Sequence, residues 1–366
     1  MADDLHLSIR PDVDFRPTFF IVDLKITNPK MMGKKAEFKL DLASDVHDSR
    51  AVDDAKNLYA HNFTVDRTEY QLKIPTDSFD CFTYKGTHAS IVLRANLKVD
   101  DAWILKDSEV SRTAQLKLVD ARTGGGGGGD ASAEIDPFDK VQFSKNFNAL
   151  SSDRKRDFVL TSLFCVIALI GGFIAIWKTL MSGDTMSGDT IGIGIVCVII
   201  LTTVVYLYWA WFKNKQFKSY MEVALQPMPA ITRNTRLLIS QLISGKSEID
   251  LKNMTLRVVA CNMEKGQYVR GSGSNRRTVS FKEPVRPIIL YSEKVSLIPS
   301  GQELGGCFPG EVDFGPIFKT LYPPLEISET HGLAVYWEVQ LLHDEFIDHE
   351  LKGPTDRVEV TDFFIA

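Results

Sequence analysis

Two uncharged apolar runs lie close together in the middle of the chain, Phe158 to Trp177 (FVLTSLFCVIALIGGFIAIW) and Ile191 to Phe212 (IGIGIVCVIILTTVVYLYWAWF). Twenty and twenty-two residues are each enough, as helices, to cross a hydrocarbon core. Only residues 178–190 separate them, so the expectation is one transmembrane helical hairpin with both large flanking segments on the same side. A buried helix pair is the alternative, but unbroken uncharged runs of this length are rare outside membranes.

Basic residues crowd the outer ends of the pair. Arg154, Lys155 and Arg156 precede the first run, and Lys213, Lys215 and Lys218 follow the second. The connecting segment sets Lys178 against Asp184 and Asp189, and repeats MSGDT at 181–185 and 186–190. The basic excess places both termini in the cytoplasm of an integral membrane protein, by default in a bacterial inner membrane, with the lipid bilayer as a partner. Trp177 at one interface, and Tyr206, Tyr208, Trp209 and Trp211 near the other, fit aromatic belts. Ala168 with Gly172, and Gly171 with Ala175, are small residues four apart, a spacing that lets helices approach closely. Gly and Ala are also simply frequent in spans. Neither run holds an ionisable residue of the kind that proton and ion pathways use, so the hairpin reads as an anchor.

The formal net charge of −5 leaves no basic footprint for nucleic acid. The start, MADDLHLSIRPD, is acidic and lacks the apolar core of a signal peptide. Cysteines at 81, 165, 197, 261 and 307 show no metal-type spacing and fit a reducing compartment.

Outside the runs the pattern has period two. Phe20, Val22, Leu24 and Ile26 alternate with more polar neighbours, as do Ala36 to Leu42, Ile91 to Val99 and Ala114 to Leu118. The pattern returns in Leu256 to Ala260 and Leu333 to Leu341, with further strand candidates at 285–291, 295–298 and 358–360. One apolar and one polar face is the mark of half-buried antiparallel strands. Several such strands separated by Pro, Gly and Asn/Asp predict a sandwich in each half. Residues 121–136, ARTGGGGGGDASAEID, read as a flexible linker. Residues 231–244, ITRNTRLLISQLIS, read as a short helix ended by Gly245.

The two halves share a weak repeat. Ile74-Pro75 and the turn Tyr84-Lys85-Gly86-Thr87-His88 lead into ASIVLRANLKVDD, while Tyr322-Pro323-Pro324 and Glu329-Thr330-His331-Gly332 lead into LAVYWEVQLLHDE. With Ser78-Phe79 and the strand Ser90–Val99, these residues resemble the arrestin-like family of tandem β-sandwich proteins, over roughly 5–120 and 250–362. The resemblance implies an adaptor without catalysis. Two features depart from the family: the inserted hairpin, and Pro323-Pro324-Leu325-Glu326 where many relatives carry Pro-Pro-x-Tyr.

The expected fold is therefore mainly β, with two antiparallel β-sandwich (arrestin-like or Ig-like) domains flanking a two-helix transmembrane hairpin. The expected divisions are 1–120 for the first sandwich, 121–157 for the linker and basic juxtamembrane segment, 158–212 for the hairpin, 213–247 for a juxtamembrane segment with a short helix, and 248–366 for the second sandwich. The expected function is a membrane-anchored, non-enzymatic interaction scaffold or adaptor whose partners are other membrane or cytoplasmic proteins, with self-association left open and no cofactor. A structural or accessory subunit of a larger membrane complex is the second reading. A metal-dependent enzyme is the third, using His343, Asp348 and His349 in the acidic turn 343–350, which lacks the His-Glu-x-x-His spacing. Gly271-Ser272-Gly273-Ser274-Asn275-Arg276-Arg277 reads as a hairpin loop, with contact to phosphate or anionic headgroups as the functional alternative.

Overall fold

The computed structural model describes residues 4–12, 18–76, 82–100, 108–114, 220–343, 346 and 348–364, together with isolated helical positions at 156, 160, 163, 167, 170, 171, 174, 177, 201, 203 and 206. The described chain is mainly β and its sheets are antiparallel, as the period-two pattern predicts.

Before the apolar runs the strands are β1 (Leu5–Pro11), β2 (Phe19–Ile26), β3 (Lys35–Val46), β4 (Ala51–Val52), β5 (Asp54–Thr64), β6 (Glu69–Pro75), β7 (Tyr84–Lys85), β8 (Ala89–Val99) and β9 (Ser108–Ala114). Two sheets form this N-terminal lobe, one ordered β1-β2-β6 and the other β5-β3-β8-β7 with β9 also on β8. The alternation explains the layering. Phe20, Val22, Leu24 and Ile26 of β2 share one buried core with Phe38 and Leu40 of β3 and with Leu93, Leu97 and Val99 of β8. Each such large apolar side chain contributes about 1.5–3 kcal/mol when fully buried. β3 and β8 stay in register from Ala36↔Val99 to Val46↔Ala89, which leaves β5, on the far side of β3, as the sheet edge.

After the runs come β10 (Met221–Leu225), β11 (Arg236–Leu238), α1 (Ile239–Leu242), β12 (Ile243–Ser247), β13 (Leu251–Arg270), β14 (Arg277–Ile298), β15 (Glu311–Asp313), α2 (Gly315–Thr320), β16 (Leu325–Glu326), β17 (Gly332–Leu342) and β18 (His349–Lys352). The main sheet runs β14-β13-β17-β16, with β18 on β17 and, from the other lobe, β4 on β13. Met254, Leu256, Val258 and Ala260 of β13 pack with Val335, Trp337 and Val339 of β17 against a second layer that includes Ile239, Leu242, Val312, Phe314 and Phe318. The candidates at 285–291 and 295–298 are parts of one long β14.

Three expectations are corrected. Among the described residues no helix is long and apolar enough to cross a membrane. A span needs about twenty consecutive helical residues. Of the two runs only scattered helical positions such as Leu160, Ile167, Ile174 and Tyr206 are described, and the rest of the hairpin, 158–177 and 191–212, lies outside the described residues. The integral-membrane, transmembrane and inner-membrane assignments, with the topology drawn from them, are therefore not carried forward. Second, the 231–244 helix shrinks to the single turn α1, because Arg236–Leu238 pair with Glu311–Asp313 and Ile243–Ser247 with Met221–Leu225. Ile231, Ile239, Leu242 and Ile243 join the C-terminal core. Third, the last strand candidate is replaced by 3-10 turns at Thr355–Arg357 and Val360–Phe364, with Val358 making a single bridge to Ile231.

Candidate functional site at the junction of the two lobes

The alternation along β13 carries two polar residues onto its buried face. Leu256, Val258 and Ala260 are followed, at the same spacing, by Asn262 and Glu264, which are 0% and 1% exposed. A buried carboxylate is costly unless it is fully hydrogen-bonded. Glu264 meets that requirement with donors from the other lobe. Its Oε1 accepts the Tyr84 hydroxyl at 2.6 Å and the Thr87 N–H at 3.0 Å, and its Oε2 accepts the N–H groups of His88 at 2.7 Å and Ala89 at 3.0 Å. Charge-assisted bonds of this kind are about twice as strong as neutral ones. The turn has glycine at Gly86 because a Cβ there would run into Glu264 Oε1, the Ala89 carbonyl and the Tyr84 ring. Burial, followed by the bond to Glu264 and its negative charge, holds the Tyr84 hydroxyl far above the ordinary tyrosine range.

An aromatic group closes one side. Tyr322 stacks on Phe82 with ring centroids 6.0 Å apart and meets Tyr84 edge-on at 5.0 Å. The Arg286 guanidinium lies 4.8 Å from the centre of the Tyr322 ring. Asn262 holds the Tyr322 backbone on both sides, donating to its carbonyl and accepting its N–H, each at 2.9 Å. Arg286 has a positive φ of 54° at an irregularity in the β13–β14 ladder, and it precedes Pro287, which disfavours helical backbone at the residue before it. Beneath the rings, Leu42, Tyr84 and Ile91 of one lobe share an apolar cluster with Leu325, Ile327 and Leu333 of the other.

His331 reaches the opposite way. It is 1% exposed, and its Nε2 lies 2.7 Å from the Val52 carbonyl. A carbonyl only accepts, so Nε2 carries the proton. Nδ1 lies 3.0 Å from the Thr330 hydroxyl and 3.5 Å from Asp54 Oδ2. The Asp54 carboxyl sits below its usual range, chiefly through a hydrogen bond from Ser328, opposed by burial and aided by the Ala55 N–H and His331. The same segment pairs Ala51 and Val52 with Tyr268 and Gln267 of β13, and the Arg50 carbonyl accepts the Val269 N–H at 2.9 Å. The Thr-His turns of the weak repeat thus both lie at the junction: Thr87-His88 binds a carboxylate from the C-terminal lobe, and Thr330-His331 grips β4 of the N-terminal one.

No protein-family model matches this chain, and no curated protein matches it.

The residues singled out from sequence fall elsewhere. Arg154, Lys155, Ala168, Gly172, Ala175, Trp209, Trp211, Lys213 and Lys215 lie outside the described residues. Arg156, Gly171 and Trp177 are exposed helical positions, and a Cβ on Gly171 would meet open space. His343 stacks edge-on against Phe346 at 5.0 Å, and His349 sits in β18 opposite Leu341. Among the described residues no group of three or more His, Cys, Asp or Glu is placed to hold a metal ion. The junction residues Glu264 and Asn262 were not singled out. The legible signal was a carboxylate and an amide continuing the inward-facing register of an otherwise apolar strand. Chemically, the buried Glu264 carboxylate holds the lobes together.

Proposed function

We propose that the chain is a non-enzymatic interaction scaffold of arrestin-like, tandem-sandwich design, in which two lobes are held in one fixed relation and extended partner segments are taken at open sheet edges. The observation that carries this reading is the Glu264 carboxylate, which binds four donors of the other lobe and so fixes the mutual placement of surfaces on both. The sheet pair of the N-terminal lobe supports it. Among the described residues β5 is an eleven-residue edge strand with no proline and a single lysine, Lys56; a register shift at Leu58 interrupts its pairing with β3, and the run from Tyr59 to Thr64 beyond it carries no charge that would guard against strand addition. Tyr59, His61 and Phe63 form a half-buried row along it, with ring centroids 6.3 and 5.6 Å apart, and Phe63 reaches Tyr70 of the facing sheet at 4.7 Å. Lys35, Glu37, Asn62, Thr64, Lys98 and Asp100 line an open groove of about 610 Å³ at the end of that strand. Main-chain pairing supplies affinity in strand addition, and alternate side chains supply selectivity.

The test is selection of extended peptides from a displayed library against the full chain, followed by hydrogen exchange of the complex. Slower exchange in β5 with unchanged exchange in the central β8 is expected. Peptides that bind without touching β5 would remove it as the docking edge, and selection of no binders would remove the scaffold reading.

A further inference from the structure

We propose that the arginine-bearing tip of the β13–β14 hairpin, with Arg50 beside it, docks an acidic peptide segment of a partner protein. This goes beyond the scaffold reading by naming a second surface and the chemistry of its partner. β13 and β14 remain paired to their last residues, where Arg270 stands directly opposite Arg277. Like charges in directly opposed positions are destabilising, so this pair is not there to strengthen the hairpin. Gly271 and Gly273 take positive φ values of 91° and 58° and carry the turn, and Arg276 follows in it. Arg270, Arg276 and Arg277 are all exposed.

A fourth arginine arrives from the other lobe. Arg50 donates from Nη1 to the Gly271 carbonyl, and the pairing of its own carbonyl with Val269 fixes it there. Asp48 is the neighbouring acid, and its Oδ1 accepts the Arg50 backbone N–H at 2.8 Å. Among the described residues no carboxylate forms an ion pair with Arg50, Arg270, Arg276 or Arg277. Four arginines thus gather at one hairpin tip of a chain whose net charge is −5.

The shape selects the occupant. The tip is a solvent-exposed hairpin turn, and a lone small anion gains little from exposed cations. An extended chain has more to bind. β17 pairs with β13 only as far as Lys265, and β14 is an edge strand that runs from Arg277 to Glu283 before its first proline, Pro284. A segment laid along that edge engages its outward backbone groups, while carboxylates on the segment meet the planar guanidinium forks. Joining the two kinds of contact in one ligand makes the second effectively intramolecular.

The experiment is fluorescence anisotropy of a labelled Glu/Asp-rich peptide, and of its Gln/Asn counterpart, with the full chain at low and physiological salt. The acidic peptide binds, the neutral one does not, and affinity falls with salt. R270E/R277E lowers affinity at least about tenfold, as loss of close charge pairs does. K252E/K294E makes the same charge change at exposed positions toward the other end of the strands and leaves binding near the parent value. Circular dichroism checks both folds, and R270Q/R277Q replaces the reversal if that variant unfolds. Absence of peptide binding, equal loss in K252E/K294E, or binding of anionic vesicles alone would each overturn the proposal. None of these outcomes bears on the β5 edge, which the exchange experiment reads separately.

Discussion

Glu264 accepts the Tyr84 hydroxyl at 2.6 Å across the lobe boundary, a bond between residues 180 positions apart in the chain. The same carboxylate takes three backbone N–H groups, so its removal leaves four donors without this acceptor, those of Tyr84 and Ala89 at buried positions. Leaving a buried donor unsatisfied costs about 1–3 kcal/mol. Glu264→Ala should therefore lower stability by about 3–5 kcal/mol, as loss of one partner from a buried charged network does. Glu264→Gln keeps the shape but turns an NH2 toward existing donors, and is expected to cost about 2–3 kcal/mol. Tyr84→Phe removes one bond and should cost about 1 kcal/mol. Urea unfolding of the singles and of the Tyr84→Phe/Glu264→Gln double tests this. Strictly additive effects would mean that the bond carries no coupling.

Alkaline pH should loosen the molecule through the same pair. The Tyr84 hydroxyl is held above its ordinary value by burial first and Glu264 second. Tyr336 is raised in the same direction by burial and by its bond to Glu338. A group whose folded value is raised favours the folded state while protonated. That stability is fully present below the unfolded tyrosine pKa of about 10 and is lost as pH rises above it. Asp54 acts with the opposite sign: its lowered value adds stability above the ordinary carboxyl pKa of about 3.9, which is lost as pH falls through the folded value. Melting temperature followed from neutral to strongly alkaline pH should fall steeply in the parent and less steeply in Tyr84→Phe. Identical slopes would show that Tyr84 ionises as an ordinary exposed tyrosine.

His331→Ala should free β4 without unfolding either core. The substitution removes the donor to Val52 and leaves a cavity at a residue that is 1% exposed. The local cost is expected at about 1–3 kcal/mol. Its signature is faster amide exchange at Val269, whose N–H pairs with Arg50, and faster proteolysis within 48–54. Uniformly faster exchange through β8 and β17 would instead mean global destabilisation and would remove the local role.

Strands whose period survives into the fold were readable. β3 and β8 bury mostly alternate residues as written in the sequence, because each faces a core on one side and has partners on both edges, whereas β17 alternates only as far as Tyr336 and buries Trp337 to Leu341 without a break. The 231–244 stretch was not readable, because its apolar spacing fits a helix. Pairing of Arg236–Leu238 with Glu311–Asp313, more than seventy residues away, decides against it, and only the turn Ile239–Leu242 keeps helical form. The junction was half legible. Asn262 and Glu264 were visible as polar residues in an apolar register. Their partners were not, because the donors around Glu264 lie at separations of 175 to 180 residues. The hairpin loop at 271–277 was recognised as a turn, but its fourth arginine, Arg50, comes from a segment more than two hundred residues away.

Gly353 tests whether the C-terminal core is as tightly closed as its layering suggests. Its N–H donates to the Trp337 carbonyl at 2.9 Å, which holds its backbone against β17. A Cβ added at Gly353 would collide with the Trp337 indole. That indole is 0% exposed and meets Phe314 edge-on, with ring centroids 5.3 Å apart, so it has no open space into which to turn. Overpacking of this kind costs about 1–3 kcal/mol. Gly353→Ala should lower the unfolding free energy by that amount, seen as a lower urea midpoint, and shift the Trp337 emission, without altering exchange in β3 or β8. An unchanged midpoint would show that the 353–357 segment moves away from the core at little cost. The edge formed by β18 would then be less firmly set than its pairing of His349–Lys352 with Glu338–Leu341 implies.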